Sequence, residues 1–271
     1  MEMRILDGAM GTELMKRGYG SSPFPEEVNL TAPEVVQEIQ RAYVGAGSQV
    51  LYTCTFGVNR RRVRGCTVEE VTAAAIANAR AAAEGRAEVW LDAGMLGAFL
   101  EPLGDLPERE AEDMYAQFFR AGREADGIIL ETFFDLHELL LAVNTARQVC
   151  PELPVRATMT FQPTGRTFTG TDIPEVAREL EAAGAAAIGM NCSFGPQEAL
   201  PLVRQFKECS PLPLIVKLNA GTPDLNTGIY PLDAAGYAEA MVPILDLGIS
   251  YVGGCCGTTP EYIRALRAVC R

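Results

Sequence analysis

Histidine is nearly missing from this chain: there is one, His137, among 271 residues. A single imidazole leaves almost no room for a Ser–His–Asp hydrolase, and none for a zinc hydrolase built on several histidines. No run of 18 apolar residues occurs, so no membrane-spanning helix is expected. The opening MEMRILDGAMG lacks a basic stretch followed by an apolar core, so no secretory leader is expected, and the cytoplasm is the default location. Basic residues are outnumbered, 23 against 35 acidic, for a net charge of −12, which argues against nucleic acid and anionic membranes as partners. A nucleotide loop is missing too. No GKS or GKT occurs, and DGAMGTE has the spacing GxxG rather than GxGxxG.

What is present is a regular alternation. Eight β-branched, apolar runs recur: RILDGAMG (4–11), QVLYTCTFG (49–57), EVWLDAGMLG (88–97), GIILETF (127–133), PVRATMTF (154–161), AAIGMNCS (186–193), PLIVKLNAG (213–221) and YVGGCCGT (251–258). Stretches with helical spacing fill the gaps, such as APEVVQEIQRAYVGAG, and TVEEVTAAAIANARAAAEG behind a threonine N-cap. The strands read as apolar on both faces, as buried parallel strands do. Eight βα units in a chain close to the typical length of about 250 residues predict a single (β/α)8 barrel domain over 1–271. An open doubly wound sheet is the alternative.

In such a barrel the C-terminal strand ends build the site. Cys192 lies at the end of the sixth strand, and Cys255 with Cys256 at the end of the eighth. Both strands border the seventh, so three thiolates can meet above it, a donor set that suits Zn²⁺ with its fourth position open to a ligand. Gly253, Gly254 and Gly257 would let the backbone bend so that adjacent cysteines serve one metal. Cys192 by itself reads as an ordinary core thiol, and paired CxxC motifs are absent; the rarity of GGCCG favours the metal. The other cysteines read as packing residues, with Cys54 set apart because its strand end faces the same rim. His137, just inside a helix beside acidic residues, reads as a surface or capping group. Asp7 and Glu131, ending strands one and four, read as caps, a buried pair, or a grip for an ammonium group. The amides from Gly8 to Thr12 can receive a small carboxylate. Together these features fit an amino acid bearing a thiol.

The stretches ILDGAMGTEL, TFGVNR, FLEPLGD, ETFFDLHELLLAV, TFQPTGRTFTGTD, GMNCSFGP, LNAGTP and YVGGCCGTTPEYI resemble the homocysteine S-methyltransferase family, and most closely the homocysteine-binding barrel of cobalamin-dependent methionine synthase. The resemblance implies Cys192, Cys255 and Cys256 as zinc ligands at the catalytic centre. It implies Asp7 and Glu131 as ligands of the homocysteine amino group, and the Gly8–Ala9 backbone as the carboxylate site. Asn219 is implied as a residue that approaches zinc when the thiol is absent. It implies homocysteine thiolate attacking an electrophilic methyl group to give methionine. FLEPLGD favours a methyl-corrinoid (methylcobalamin) donor on a partner protein or domain, itself charged by a donor-specific methyltransferase. The alternatives are S-methylmethionine or another direct donor, or a homocysteine- and zinc-binding module inactive alone. Two departures stand out. Thr53-Cys54-Thr55-Phe56 replaces the common TNTF, and Lys217-Leu218 stands where that branch often has an aromatic residue and a proline.

Overall fold

The computed structural model describes residues 2–20, 22–224 and 227–270. The eight expected strands are β1 (Arg4–Ile5), β2 (Val50–Tyr52), β3 (Glu88–Ala93), β4 (Gly127–Phe133), β5 (Val155–Met159), β6 (Ala187–Cys192), β7 (Leu214–Leu218) and β8 (Tyr251–Gly254). They pair in parallel in the order β1-β8-β7-β6-β5-β4-β3-β2, which is sequence order wrapped once around a circle. The helices are α1 (Gly11–Lys16), α2 (Val28–Thr31), α3 (Pro33–Ala46), α4 (Val68–Ala83), α5 (Glu108–Ala121), α6 (Leu136–Val149), α7 (Ile173–Ala182), α8 (Pro196–Cys209), α9 (Ala234–Leu245) and α10 (Pro260–Val269). A (β/α)8 barrel results, as the alternation predicted; the open sheet is not formed.

Alternation along the strands sorts side chains into two cores. Inside the barrel, Leu6, Val50, Tyr52, Trp90, Ile129, Ala187, Ile215 and Tyr251 pack together. Outside it, the opposite strand faces meet the apolar stripes of the helices. The inner cluster plugs the lower barrel. The next inward positions on β3, β4 and β7 are Asp92, Glu131 and Lys217, which bring charge to the site end of the barrel, while in the plug itself the Arg156 guanidinium stacks on Trp90.

The seam between β1 and β2 is closed differently from the other seven. Among the described residues no ladder joins the two strands. One backbone bond crosses, from Gln49 N–H to Ile5 O at 2.7 Å. Side chains supply the rest: Arg4 Nη2 donates to Gln49 O at 3.1 Å, Gln49 Oε1 accepts from Ile5 N–H at 2.9 Å, Ser48 Oγ donates to Leu6 O at 3.1 Å, and Asp7 Oδ2 accepts from Tyr52 N–H at 2.7 Å.

Candidate active site

The C-terminal strand ends surround a cavity of about 290 Å³, whose lining includes Asp7, Gly8, Ala9, Glu131 and the three cysteines. The Sγ atoms of Cys192, Cys255 and Cys256 all lie within 4.8 Å of one another, the one group of three such donors among the described residues. Cys192 Sγ is 3.7 Å from Cys256 Sγ, and all three are free thiols. A tetrahedral zinc with Zn–S bonds of about 2.3 Å holds its sulfurs roughly 3.8 Å apart, so the spacing fits that ion. The protons are shared unequally. Hydrogen bonds to its two neighbours keep the Cys192 thiol protonated, well above the usual cysteine range. Cys256, stabilised as a thiolate by Cys192 and then Cys255, is pushed down to about 3. A group already ionised at neutral pH is ready to ligate.

Local backbone explains how the three meet. Cys192 and Ser193 turn the chain out of β6 at φ 55° and 64°, a left-handed pair of non-glycine residues. That conformation costs on the order of 1 kcal/mol per residue and marks a position held by its surroundings. On the other side, only Gly257 bends the chain, at φ 83°. Gly253 and Gly254 do not serve the bend expected of them. They lie within β8, and a Cβ would meet Asp7 O at 2.6 Å in the first and Thr258 Oγ1 at 2.4 Å in the second. They are glycines because β8 is pressed against its neighbours. Cys255 N–H then bonds Leu218 O at 2.6 Å, and Ala220 N–H bonds Cys256 O at 3.0 Å, tying the cysteine pair to β7.

Behind the thiols, Asn191 accepts from Thr132 N–H at 2.8 Å and Thr158 Oγ1 at 2.9 Å, and donates to Thr132 Oγ1 at 2.7 Å. Its Nδ2 is thereby aimed toward Cys255 Sγ, 4.0 Å away. Asn219 is buried just after β7, its Oδ1 without a hydrogen-bond partner. Gly8 and Ala9 line the cavity; Ala9 N–H donates to Thr258 Oγ1 at 3.3 Å. A Cβ on Gly8 would meet Tyr43 at 2.7 Å, which requires glycine there. Cys54 lines the same cavity, but burial raises its pKa and it packs in the core beside Asn29, away from the three-thiol group. His137 lies in the first turn of α6, half exposed, its ring against Glu108, far from this chemistry.

The carboxylates hold the largest departure from expectation. Asp7 and Glu131 both face the cavity, yet a lysine stands between them. Lys217 Nζ lies 2.9 Å from Asp7 Oδ1, 3.9 Å from Glu131 Oε2 and 3.8 Å from the centre of the Tyr52 ring. Burial works against its charge, but Asp7 and Glu131 outweigh it and lift its pKa above the usual lysine range. Burial likewise raises Asp7, with Lys217 opposing, and pushes Glu131 up to about 7. Asp92 joins them from β3, raised well above the carboxylate range by burial and by Glu131. Sequence reasoning missed Lys217 and Asp92 as site residues. The available signal was strand parity: each lies two residues beyond an inner-core position, Ile215 and Trp90.

Comparison with known proteins agrees with this geometry. The family model described as homocysteine S-methyltransferase matches residues 4–270. A methionine synthase from Mycobacterium leprae is 31% identical over 97% of this chain and 24% of its own length. The chain thus spans about a quarter of the methionine synthases it matches. Betaine–homocysteine S-methyltransferase 1 from Pongo abelii is 32% identical over 98% of this chain and 71% of its own. The crystal structure of the metallated form of the homocysteine methyltransferase MmuM from Escherichia coli superposes with a TM-score of 0.82 at 21% identity, covering 99% of this chain and 96% of that one, a likeness of fold.

Proposed function

Because the chain belongs to the homocysteine S-methyltransferase family, we propose that it methylates the sulfur of homocysteine to form methionine, using zinc held by Cys192, Cys255 and Cys256. The observation that carries this reading is the convergence of three thiols on the wall of a cavity that also presents buried carboxylates. Zinc, when bound, supplies a Lewis acid that makes a substrate thiol lose its proton near neutral pH. The protein's own part is to orient and to shield. Carboxylates at the strand ends receive the amino group, the Gly8–Ala9 segment borders the carboxylate, and Asn191 polarises Cys255. Asn219, buried just after β7 with its Oδ1 unpartnered, is read as the residue that approaches the metal when the thiol is absent. The sulfur forms its bond to the methyl carbon as the bond from that carbon to its carrier breaks.

The donor is read as a methyl-corrinoid on a partner protein or domain, because FLEPLGD and the similarity to methionine synthases point that way. A direct donor such as S-methylmethionine or betaine is the second reading, favoured by an equal identity to a betaine enzyme of which this chain covers most.

The test begins with metal content. Protein purified under reducing conditions with zinc supplied should carry stoichiometric zinc. Cys192→Ala and Cys256→Ala should lose it while keeping the far-ultraviolet circular dichroism of the parent. Core thiols would instead lose stability and leave zinc content unchanged. Methionine formation from homocysteine is then compared with methylcobalamin, S-methylmethionine and betaine. Turnover with methylcobalamin alone supports the corrinoid reading; turnover with either other donor alone replaces it.

A further inference from the structure

The two carboxylates expected to receive a substrate ammonium are already bridged by an internal one. We propose that the amino-group subsite has been rebuilt: Lys217 takes Asp7 out of use, and Asp92 replaces it, so that the substrate ammonium is held between Asp92 and Glu131. This rests on the reading that the substrate is an amino-acid thiol.

Asp7 has little left to offer a ligand. Its Oδ2 accepts from Tyr52 N–H at 2.7 Å, and its Oδ1, which like Asp92 Oδ1 makes no hydrogen bond, is neutralised by the Lys217 Nζ ion pair at 2.9 Å. Lys217 is no passing surface side chain, since only 5% of it is exposed. It is held by the Asp7 ion pair and by the face of Tyr52. A second ammonium in the same place would meet a like charge at close range in a poorly solvated site, and is excluded.

Asp92 has the opposite character. It is 94% buried, lines the cavity, and its Oδ1 has no hydrogen-bond partner. Its backbone is fixed on both sides: Asp92 N–H donates to Thr53 Oγ1 at 3.0 Å, and Asp92 O accepts from Thr55 Oγ1 at 2.6 Å. Glu131 Oε2 is equally without a hydrogen bond; Lys217 stands off from it at 3.9 Å. A buried carboxylate oxygen with no partner is costly and marks a place for a ligand. Asp92 and Glu131 take successive inward positions on the adjacent strands β3 and β4, above Trp90 and Ile129, so their carboxylates share one side of the barrel mouth. With Lys217 paired to Asp7, the carboxyl groups of Asp92 and Glu131 remain to face one ammonium ligand. Lys217 is therefore a positioning residue and Asp92 a binding residue.

The experiment uses the full chain loaded with zinc. Affinities are measured calorimetrically for L-homocysteine and for 4-mercaptobutyrate, which keeps the thiol and carboxylate but lacks the amine. The parent should prefer homocysteine by about tenfold or more, the scale of a charge-assisted hydrogen bond. Asp92→Asn should abolish that preference and leave 4-mercaptobutyrate affinity and zinc content within about twofold of the parent. Adding Lys217→Met to Asp92→Asn should restore the preference, because Asp7 is released to its partner Glu131. A double variant as weak as the two losses combined overturns the rebuilt subsite. So does a parent that binds 4-mercaptobutyrate as well as homocysteine, which would show that Lys217 fills the amino-group site outright. The parent comparison needs no variant to fold. Zinc retention with neither thiol bound would instead bring down the homocysteine reading, and this proposal with it.

Discussion

Glu131 shows what burial does to a carboxylate that awaits a cation. Burial pushes its pKa up to about 7, with Lys217 pulling it down and Cys255 adding to the rise. The unfolded value is 4.5, so this side chain favours the ligand-free fold fully below that pH, and the contribution is lost as pH rises through about 7. Binding an ammonium favours the ionised form and runs the other way. Homocysteine affinity of the zinc-loaded protein should therefore increase between about pH 6 and pH 8 more steeply in the parent than in Glu131→Gln. The thiol proton contributes to both proteins, so the difference in slope reads the glutamate alone. Equal slopes would show that Glu131 does not meet the ammonium. Legibility at this scale followed chemistry. Three of the eight cysteines announced themselves because they stand at two strand ends that border the same strand, and GGCCG is an unusual string. Lys217 stood out only as a departure from the family pattern; that its ammonium sits between Asp7 and Glu131 could not be read until the barrel's inside was known. Asp92 lay within the run EVWLDAGMLG, where nothing local marked it as a site residue.

Elements were more readable than residues, because periodicity averages over many positions. All eight strands and the eight long helices stand where alternation placed them. Errors gather at the ends that build the site. The run RILDGAMG extends to Gly11, whereas β1 stops at Ile5; Leu6 and Ala9 stay apolar because they are buried beyond the strand. The short helices α1 and α2, of six and four residues, left no pattern to find, being held by tertiary contacts rather than propensity. The expected threonine cap of α4 is present as a complete capping box. Thr67 Oγ1 accepts from Glu70 N–H at 3.1 Å, and Glu70 Oε2 accepts from Thr67 N–H at 2.8 Å. Thr67→Ala should cost about 1 kcal/mol in urea unfolding with an unchanged m-value. The cap lies outside the cavity lining, so zinc content should not change.

At the scale of the whole molecule, the barrel fixes which strand ends share a rim, and length with alternation sufficed to foresee it. The unequal closure of its eight seams was not foreseeable, because it depends on side chains at 4, 48 and 49 and on Asp7. Gln49→Leu removes the acceptor of Ile5 N–H at the β1–β2 seam. It should destabilise the fold by about 1–2 kcal/mol in urea unfolding. A loss under a few tenths of a kcal/mol would mean that the single backbone bond closes the seam unaided.

That seam also ties Asp7 to two duties. One of its oxygens fastens Tyr52 and the other faces the ligand cavity, so a substitution that retunes ligand preference there also loosens the barrel's own clasp. Position 92 carries no such second duty, whereas Lys217 touches both sides of the β1–β2 join through Asp7 and the Tyr52 ring. Ligand preference can therefore be altered at position 92 with the least cost to the barrel, while changes at 7 or 217 also disturb its closure.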